Sequence, residues 1–116
     1  MTSSAPPPHA QGSIRFAVTD GGDAVVLSGE IDAAAVEEFE RIHGRQNSSQ
    51  DGRRRLVVLV DAEAATFLNS VGTGLLIRLT DPARRAGLRP RLRRPSRPVT
   101  QILRITGLDQ MFDRID

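Results

Sequence analysis

The stretch Phe67-Leu68-Asn69-Ser70-Val71-Gly72-Thr73-Gly74 decides how the rest of the chain is interpreted. It follows a short apolar run and precedes apolar residues at helical spacing, so it predicts a turn from a strand into a helix. The first turn of a helix leaves four backbone N–H groups unpaired and carries partial positive charge. Ser70 is therefore either a plain N-cap, which the local sequence favours, or a site where a phosphate would be tolerated.

The segments on either side of this stretch predict a central strand and a long helix. Leu56-Val57-Val58-Leu59-Val60 is typical of a strand covered on both faces, and we place it at the centre of the sheet. The helix is expected from about Val71 to Ala86, but Pro82 predicts a kink, or a break capped by Thr80 or Asp81. Its predicted apolar stripe consists of Leu75, Leu76, Leu79, Ala83 and Ala86.

The N-terminal half predicts a β-hairpin followed by a helix. Residues 14–18 alternate apolar and polar, 20–23 form a turn, and 24–27 are apolar, which together indicate two paired strands. Asp32 is a candidate N-cap for a helix that reaches about Gly44. Its predicted core face is Ala35 or Val36, then Phe39, then Ile42. Residues 45–54 are a polar loop.

The C-terminal third predicts a short strand, a third helix and a closing helical turn. The strand covers 88–93 with Leu88 and Leu92 inward, and Pro90 implies a sheet edge or an irregularity. Ser96 is the candidate cap of the helix, which ends at Gly107. Its apolar residues are Val99, Ile102, Leu103 and Ile105, and Met111 and Phe112 are expected to dock on the core from the closing turn at 109–116. The order ββαβαβα(α) describes an α/β sandwich.

Length and composition indicate one domain without disulfides or metal. Of the 116 residues, 1–12 are rich in Ser, Pro and Ala and are expected to be a disordered tail, which leaves 13–116 as the domain. The chain has no Cys and two isolated His, which argues against structural zinc, and we expect no cofactor. It shows neither a signal peptide nor an apolar run long enough for a membrane span, so we expect a cytoplasmic protein.

The charge is unevenly distributed along the chain. All 16 basic residues are Arg, so a net charge of only +2 already gives a sequence pI near 10.8. Residues 1–52 hold 3 Arg against 8 acidic residues, whereas 53–116 hold 13 against 6. The Arg-rich segment 84–97 is the best case for nucleic acid, but the chain has no Tyr or Trp for base stacking. We therefore expect a solvated face that can steer an acidic partner.

Three motifs resemble the STAS domain of bacterial anti-anti-sigma factors. Ser28-Gly29-Glu30-Ile31-Asp32 is similar to its Gly-Glu-(Ile/Leu)-Asp signature, and Phe67-Leu68-Asn69-Ser70-Val71-Gly72 is similar to its Phe-(Leu/Met)-Asp-Ser-(Ser/Thr)-Gly phosphorylation loop. Pro95-Ser96 and Ile105-Thr106-Gly107-Leu108-Asp109 are similar to the marks around its third helix. The likeness spans about residues 13–115 and implies a mixed four- to five-stranded sheet with helices mainly on one face.

The resemblance implies an anti-sigma factor antagonist rather than an enzyme. The unphosphorylated protein would bind a serine-kinase anti-sigma factor and thereby release a sigma factor, and phosphorylation at Ser70 would end that binding. It would act as a monomer or weak dimer. The sequence departs from the family at Asn69, where Asp is usual, and at Val71, which replaces a small hydroxyl residue. The implied partner-binding residues are Glu30, Asp32, Asn69, Ser70, Val71, Gly72 and Thr73.

Other interpretations of these residues remain open. Glu30 and Asp32 could be an acid and base pair, but no His, Cys or second carboxylate cluster accompanies them, and an N-cap at Asp32 is the simpler interpretation. Thr73 is either a packing residue or a second phosphate acceptor. An alternative function is a STAS module that is not phosphorylated and binds a small ligand or acts as a scaffold in a larger regulatory assembly.

Overall fold

The computed structural model describes residues 12–44 and 55–116. The predicted polar loop lies outside these ranges, as does the predicted tail apart from Gly12. In chain order the elements are β1 (Ser13–Thr19), β2 (Gly22–Ile31), α1 (Ala33–His43), β3 (Val57–Leu68), α2 (Ser70–Arg85), β4 (Arg91–Arg93), α3 (Arg97–Thr106), a 3₁₀ turn (Leu108–Met111) and β5 (Asp113–Ile115).

The five strands form one mixed sheet in the order β1-β2-β3-β4-β5. β1 and β2 are the predicted hairpin, with Phe16 opposite Val25, and all further neighbours are parallel. β3 is the central strand, as its unbroken apolar run predicts. The predicted strands were too short, because β2 and β3 continue as far as Ile31 and Leu68, so both end beside the 67–74 stretch.

The last residues form a strand that the sequence did not predict. The closing turn at 109–116 was expected to be helical, but only Leu108–Met111 is, and Asp113–Ile115 then pairs with β4. β4 is consequently an inner strand, so the edge position inferred from Pro90 was wrong. Pro90 precedes the strand, and its missing N–H interrupts no ladder bond.

The helices cover mainly one face of the sheet, and the core lies between them. Inward side chains of β1, β2 and β3 meet the apolar faces of α1, α2 and α3. The most completely buried residues of the core include Val25, Leu27, Ile31, Phe39, Val60, Leu68, Leu75, Val99 and Leu103.

Besides Ala86, three apolar residues assigned to helix or strand faces are exposed. Ile42 is 52% exposed because His43 packs on Phe39 and Phe16 in its place, with ring centroids 4.7 and 4.9 Å apart. Leu88 precedes the shortened β4. Ile105 lies two residues, or about 200° of helix rotation, from buried Leu103 and therefore points away from the sheet.

α2 runs without a break from Ser70 to Arg85 despite Pro82. Of the two expected outcomes, a kink or a break capped by Thr80 or Asp81, the break was wrong. The Thr80 hydroxyl donates to the carbonyl of Leu76 at 2.7 Å inside the continuous helix. Leu75, Leu76, Leu79 and Ala83 of the predicted stripe are buried, and Ala86 lies exposed beyond the helix end.

Candidate functional site

The start of α2 is held by Asn69 rather than by Ser70. Asn69 has extended backbone angles, and its side-chain oxygen accepts a hydrogen bond from the N–H of Gly72 at 2.9 Å. Its own N–H donates to the carbonyl of Ile31 at 3.3 Å, which fixes the turn against the end of β2. The interpretation of Ser70 as the N-cap was therefore wrong by one residue, because tertiary pairing assigns the cap to Asn69.

Ser70 is the first residue of α2, and its side chain is exposed. It lies where the backbone N–H groups of Ser70 and Val71 have no carbonyl in a preceding turn to bond. The first turn contains no acidic side chain, so no residue of that turn neutralises the positive end of the helix. An anion attached to the Ser70 oxygen would enter a favourable field.

The next residues of the first turn, Gly72 and Thr73, are buried. A Cβ on Gly72 would be 2.6 Å from the Ile31 carbonyl oxygen, so α2 can approach β2 this closely only with glycine there. Thr73 is buried, and its hydroxyl donates to the carbonyls of Ser70 at 2.8 Å and Asn69 at 3.2 Å. These contacts give Thr73 a packing role and leave its hydroxyl facing away from solvent.

The 28–32 segment adjoins the 67–74 stretch because β2 and β3 are parallel and end together. Glu30 is opposite Phe67 in the register, and Ile31 is opposite Leu68. Gly29 is buried with a φ of 74°, a left-handed conformation that favours glycine, and the register shifts between Gly29 and Glu30.

Asp32 caps α1, since its carboxylate accepts the N–H of Ala35 at 3.1 Å. The sequence favoured this capping role over an acid and base pair with Glu30. Asp32 and Glu30 are both half-buried, so each presents part of its side chain at the surface beside the start of α2.

Two exposed apolar side chains flank Ser70. Phe67 is 42% exposed and Val71 is 43% exposed, although large apolar residues are usually buried. We call the surface formed by Glu30, Asp32, Phe67, Asn69, Ser70 and Val71 the switch surface. The sequence indicated Phe67 only as part of the 67–74 stretch, and the missing signal was the long-range pairing that places it opposite Glu30.

The described residues were also compared with the requirements of a metal site and of a membrane-spanning helix. Across 12–44 and 55–116, no three His, Cys, Asp or Glu side chains gather where they could hold a metal ion. No helix within these ranges has both the length and the apolar character needed to cross a membrane.

Comparison with known proteins gives a family and a fold. A family model described as STAS domain matches residues 14–116. The structure resembles the crystal structure of an anti-sigma factor antagonist from Mycobacterium paratuberculosis, with a TM-score of 0.69 and 22% identity over 95% of this chain and 89% of that one.

A second solved structure has the same fold. It is the anti-sigma factor antagonist SpoIIAA in its unphosphorylated form, with a TM-score of 0.63 and 21% identity over 89% of this chain and 88% of that one. At these identities the likenesses establish the fold alone. Among curated proteins, none matches the sequence significantly.

Proposed function

The chain belongs to the STAS domain family, and from that premise we propose that it is an anti-sigma factor antagonist whose binding is switched off by phosphorylation of Ser70. The observation that carries the proposal is the exposed Ser70 at the start of α2, between exposed Phe67 and Val71. Both structural relatives are named as anti-sigma factor antagonists. The protein acts in the cytoplasm, as a monomer or weak dimer, and is a regulator rather than an enzyme.

The unphosphorylated switch surface has the composition of a protein-binding site. An aromatic and an aliphatic side chain form its apolar centre, and the carboxylates of Glu30 and Asp32 lie at its margin. Aromatic residues contribute strongly to binding when a partner covers them. The partner in this proposal is a serine-kinase anti-sigma factor, which releases its sigma factor when it binds here.

A phosphate on Ser70 would change the surface without disturbing the fold. It adds about −1.5 to −2 charges and three acceptor oxygens at the positive end of α2, where the helix favours an anion. The Asn69 cap does not use the Ser70 hydroxyl, so the cap persists after modification. A partner packed on Phe67 and Val71 would then have to desolvate a dianion, which weakens binding about a hundredfold or more.

Asn69 preserves the structural role of the Asp that the family usually has there. Asn and Asp are about equally good N-caps, and the Asn69 oxygen already accepts the Gly72 N–H at 2.9 Å. What this chain lacks is the negative charge beside Ser70. We therefore expect Asn69→Asp to leave the helix start intact and to change the rate of phosphoryl transfer.

The test is phosphorylation by a purified serine-kinase anti-sigma factor with ATP, followed by mass determination. The wild type should gain one phosphate at Ser70, Ser70→Ala should gain none, and Asn69→Asp should be modified faster. Ser70→Glu should lose kinase binding, whereas Thr106→Glu, an equal charge on an exposed residue at the far end of α3, should retain it. Equal binding by both Glu variants would show that charge at Ser70 does not control the interaction.

A second candidate is a STAS module that is not phosphorylated and binds a small ligand or acts as a scaffold. The observation that favours it is a cavity of about 440 Å³, within the range of ligand sites, at the opposite end of β3 from Ser70. Val58, Leu59, Leu88 and Ile115 form its apolar lining, and its charged lining residues are Asp20, Arg89 and Arg91. This alternative would be supported if no serine-kinase anti-sigma factor phosphorylates the wild type. The Asn69→Asp variant should then remain unphosphorylated as well.

A further inference from the structure

The arginines of the described residues differ in whether they have a partner. Six form ion pairs, Arg84 bonds Thr80, and Arg55 stacks on Phe16. The six ion-paired residues are Arg41, Arg78, Arg85, Arg89, Arg93 and Arg94. Within 12–44 and 55–116, the arginines that make no ion pair and no ring contact are Arg15, Arg91, Arg97, Arg104 and Arg114.

Three of these five line a single groove of about 740 Å³ beside α3. Arg97 and Arg104 are seven residues apart on α3, so they share one face and lie about 10 Å apart along the helix axis. Arg114 comes from β5. All three are exposed, and no acidic side chain lines the groove among the described residues. Asp109 lines a smaller neighbouring cavity together with Arg104 and Arg114, but it forms no ion pair with either of them.

Three like charges that form no ion pair favour a ligand that carries several anionic groups. Guanidinium groups form paired hydrogen bonds with carboxylates and phosphates. Ile105 also lines the groove and is 73% exposed, while no Phe, Tyr or Trp lines it. An aliphatic side chain suits the apolar side chains of a protein, whereas single-stranded nucleic acid is usually held by stacking on aromatic rings.

We propose that this groove, which we call the α3 groove, binds an acidic segment of another protein. The carboxylates of the segment pair with Arg97, Arg104 and Arg114, and an apolar side chain of the segment covers Ile105. Since the groove spans about 10 Å between Arg97 and Arg104, an extended segment of about four residues reaches both guanidinium groups. The site is separate from the switch surface and does not depend on Ser70.

The probe is a fluorescein-labelled peptide of about twelve residues that alternates Glu pairs with Leu, long enough to cross the groove when extended. Its anisotropy is measured with the full chain at about 50 and about 200 mM salt. The triple variant R97Q/R104Q/R114Q should weaken binding about tenfold, as expected for three lost surface charge pairs, and should flatten the salt dependence.

The control is R41Q/R78Q/R85Q, which removes the same charge from exposed residues outside the groove. It should change the affinity less than about twofold, and Ser70→Ala should not change it. Equal loss in the two triple variants, or no binding of the peptide to the wild type, would overturn the proposal. Because all six positions are exposed, the melting temperatures should stay close to that of the wild type and show that the variants are folded.

Two further measurements in the same anisotropy assay identify the class of ligand. Ile105→Ser should weaken the Glu-Leu peptide severalfold and leave an all-Glu peptide unchanged, because only the first offers an apolar side chain. An oligothymidine of the same length should bind more weakly than the peptide. Tighter binding of the oligothymidine that R97Q/R104Q/R114Q abolishes would replace the acidic polypeptide with a nucleic acid as the occupant.

Discussion

The starts of α2 and α3 are built alike but use serine differently. Each helix follows a parallel strand and begins at a side-chain cap, which is Asn69 in α2 and Ser96 in α3. The Ser96 hydroxyl accepts the N–H of Val99, so a group attached to it would remove the cap. In α2 the cap and the free hydroxyl are on adjacent residues. Ser70 can therefore acquire a charge while Asn69 continues to hold the helix.

The largest expected effect comes from a substitution at Gly72, where α2 approaches β2 closely. Gly72→Ala would place a Cβ 2.6 Å from the backbone oxygen of Ile31 and 2.7 Å from Leu68, so we expect a loss of about 3 kcal/mol in the free energy of unfolding. Gly74→Ala meets nothing within 4 Å and should stabilise the helix by about 0.5–1 kcal/mol. Urea unfolding measures both, and equal midpoints would contradict the close contact.

A second test separates the capping residue from its neighbour. Asn69→Ala and Ser96→Ala should each lower the free energy of unfolding by about 1 kcal/mol, because each removes a cap. Ser70→Ala should change it by less than about 0.5 kcal/mol, since the Ser70 side chain is exposed and caps nothing. The comparison fails if Ser70→Ala is as destabilising as Asn69→Ala in the same urea titration.

The smallest expected effect is a pH dependence that originates away from both helix starts. Burial lowers the pKa of His43 from its ordinary value of 6.5, and the nearby Arg55 adds to this. The folded state therefore prefers neutral His43, and this contribution is complete above pH 6.5 and is lost as the pH falls below it toward the lowered pKa.

Unfolding at pH 7.5 and 5.5 should show a decrease that is smaller in His43→Gln. The difference between Asn69→Ala and Ser96→Ala should be the same at both pH values, because neither cap titrates. A pH-dependent difference between these two cap variants would instead place a titrating group at one of the helix starts.

Local chemistry explains what the sequence could predict. Asp32 and Ser96 were identified as caps because a single side chain bonds a backbone N–H three residues ahead, and the structure confirms both. The hairpin and the central position of β3 are also confirmed. They could be predicted because an alternating pattern and an apolar run are each visible within one short window of sequence. The family resemblance, rather than local chemistry, implied a sheet of four to five strands, and the sheet has five.

The missed features depend on contacts between distant residues. Asn69 and Ser70 are both good caps in sequence, and the bond from the Asn69 N–H to Ile31 decides between them. β5 has three residues and exists because β4 lies beside it. Phe67 lies opposite Glu30 through a long-range pairing, and the α3 groove combines arginines from a helix and a strand that the sequence separates.

The two edges of the sheet have consequences for how the protein behaves in concentrated solution. β5 is a three-residue edge strand, too short to pair extensively with another chain. β1 is seven residues long, and in the described part of the chain no strand pairs with its outer edge. Arg15 is its charged residue and Val18 is 76% exposed. Arg15 is therefore the charge that opposes extension of the sheet by a second molecule, and we expect Arg15→Gln to increase self-association.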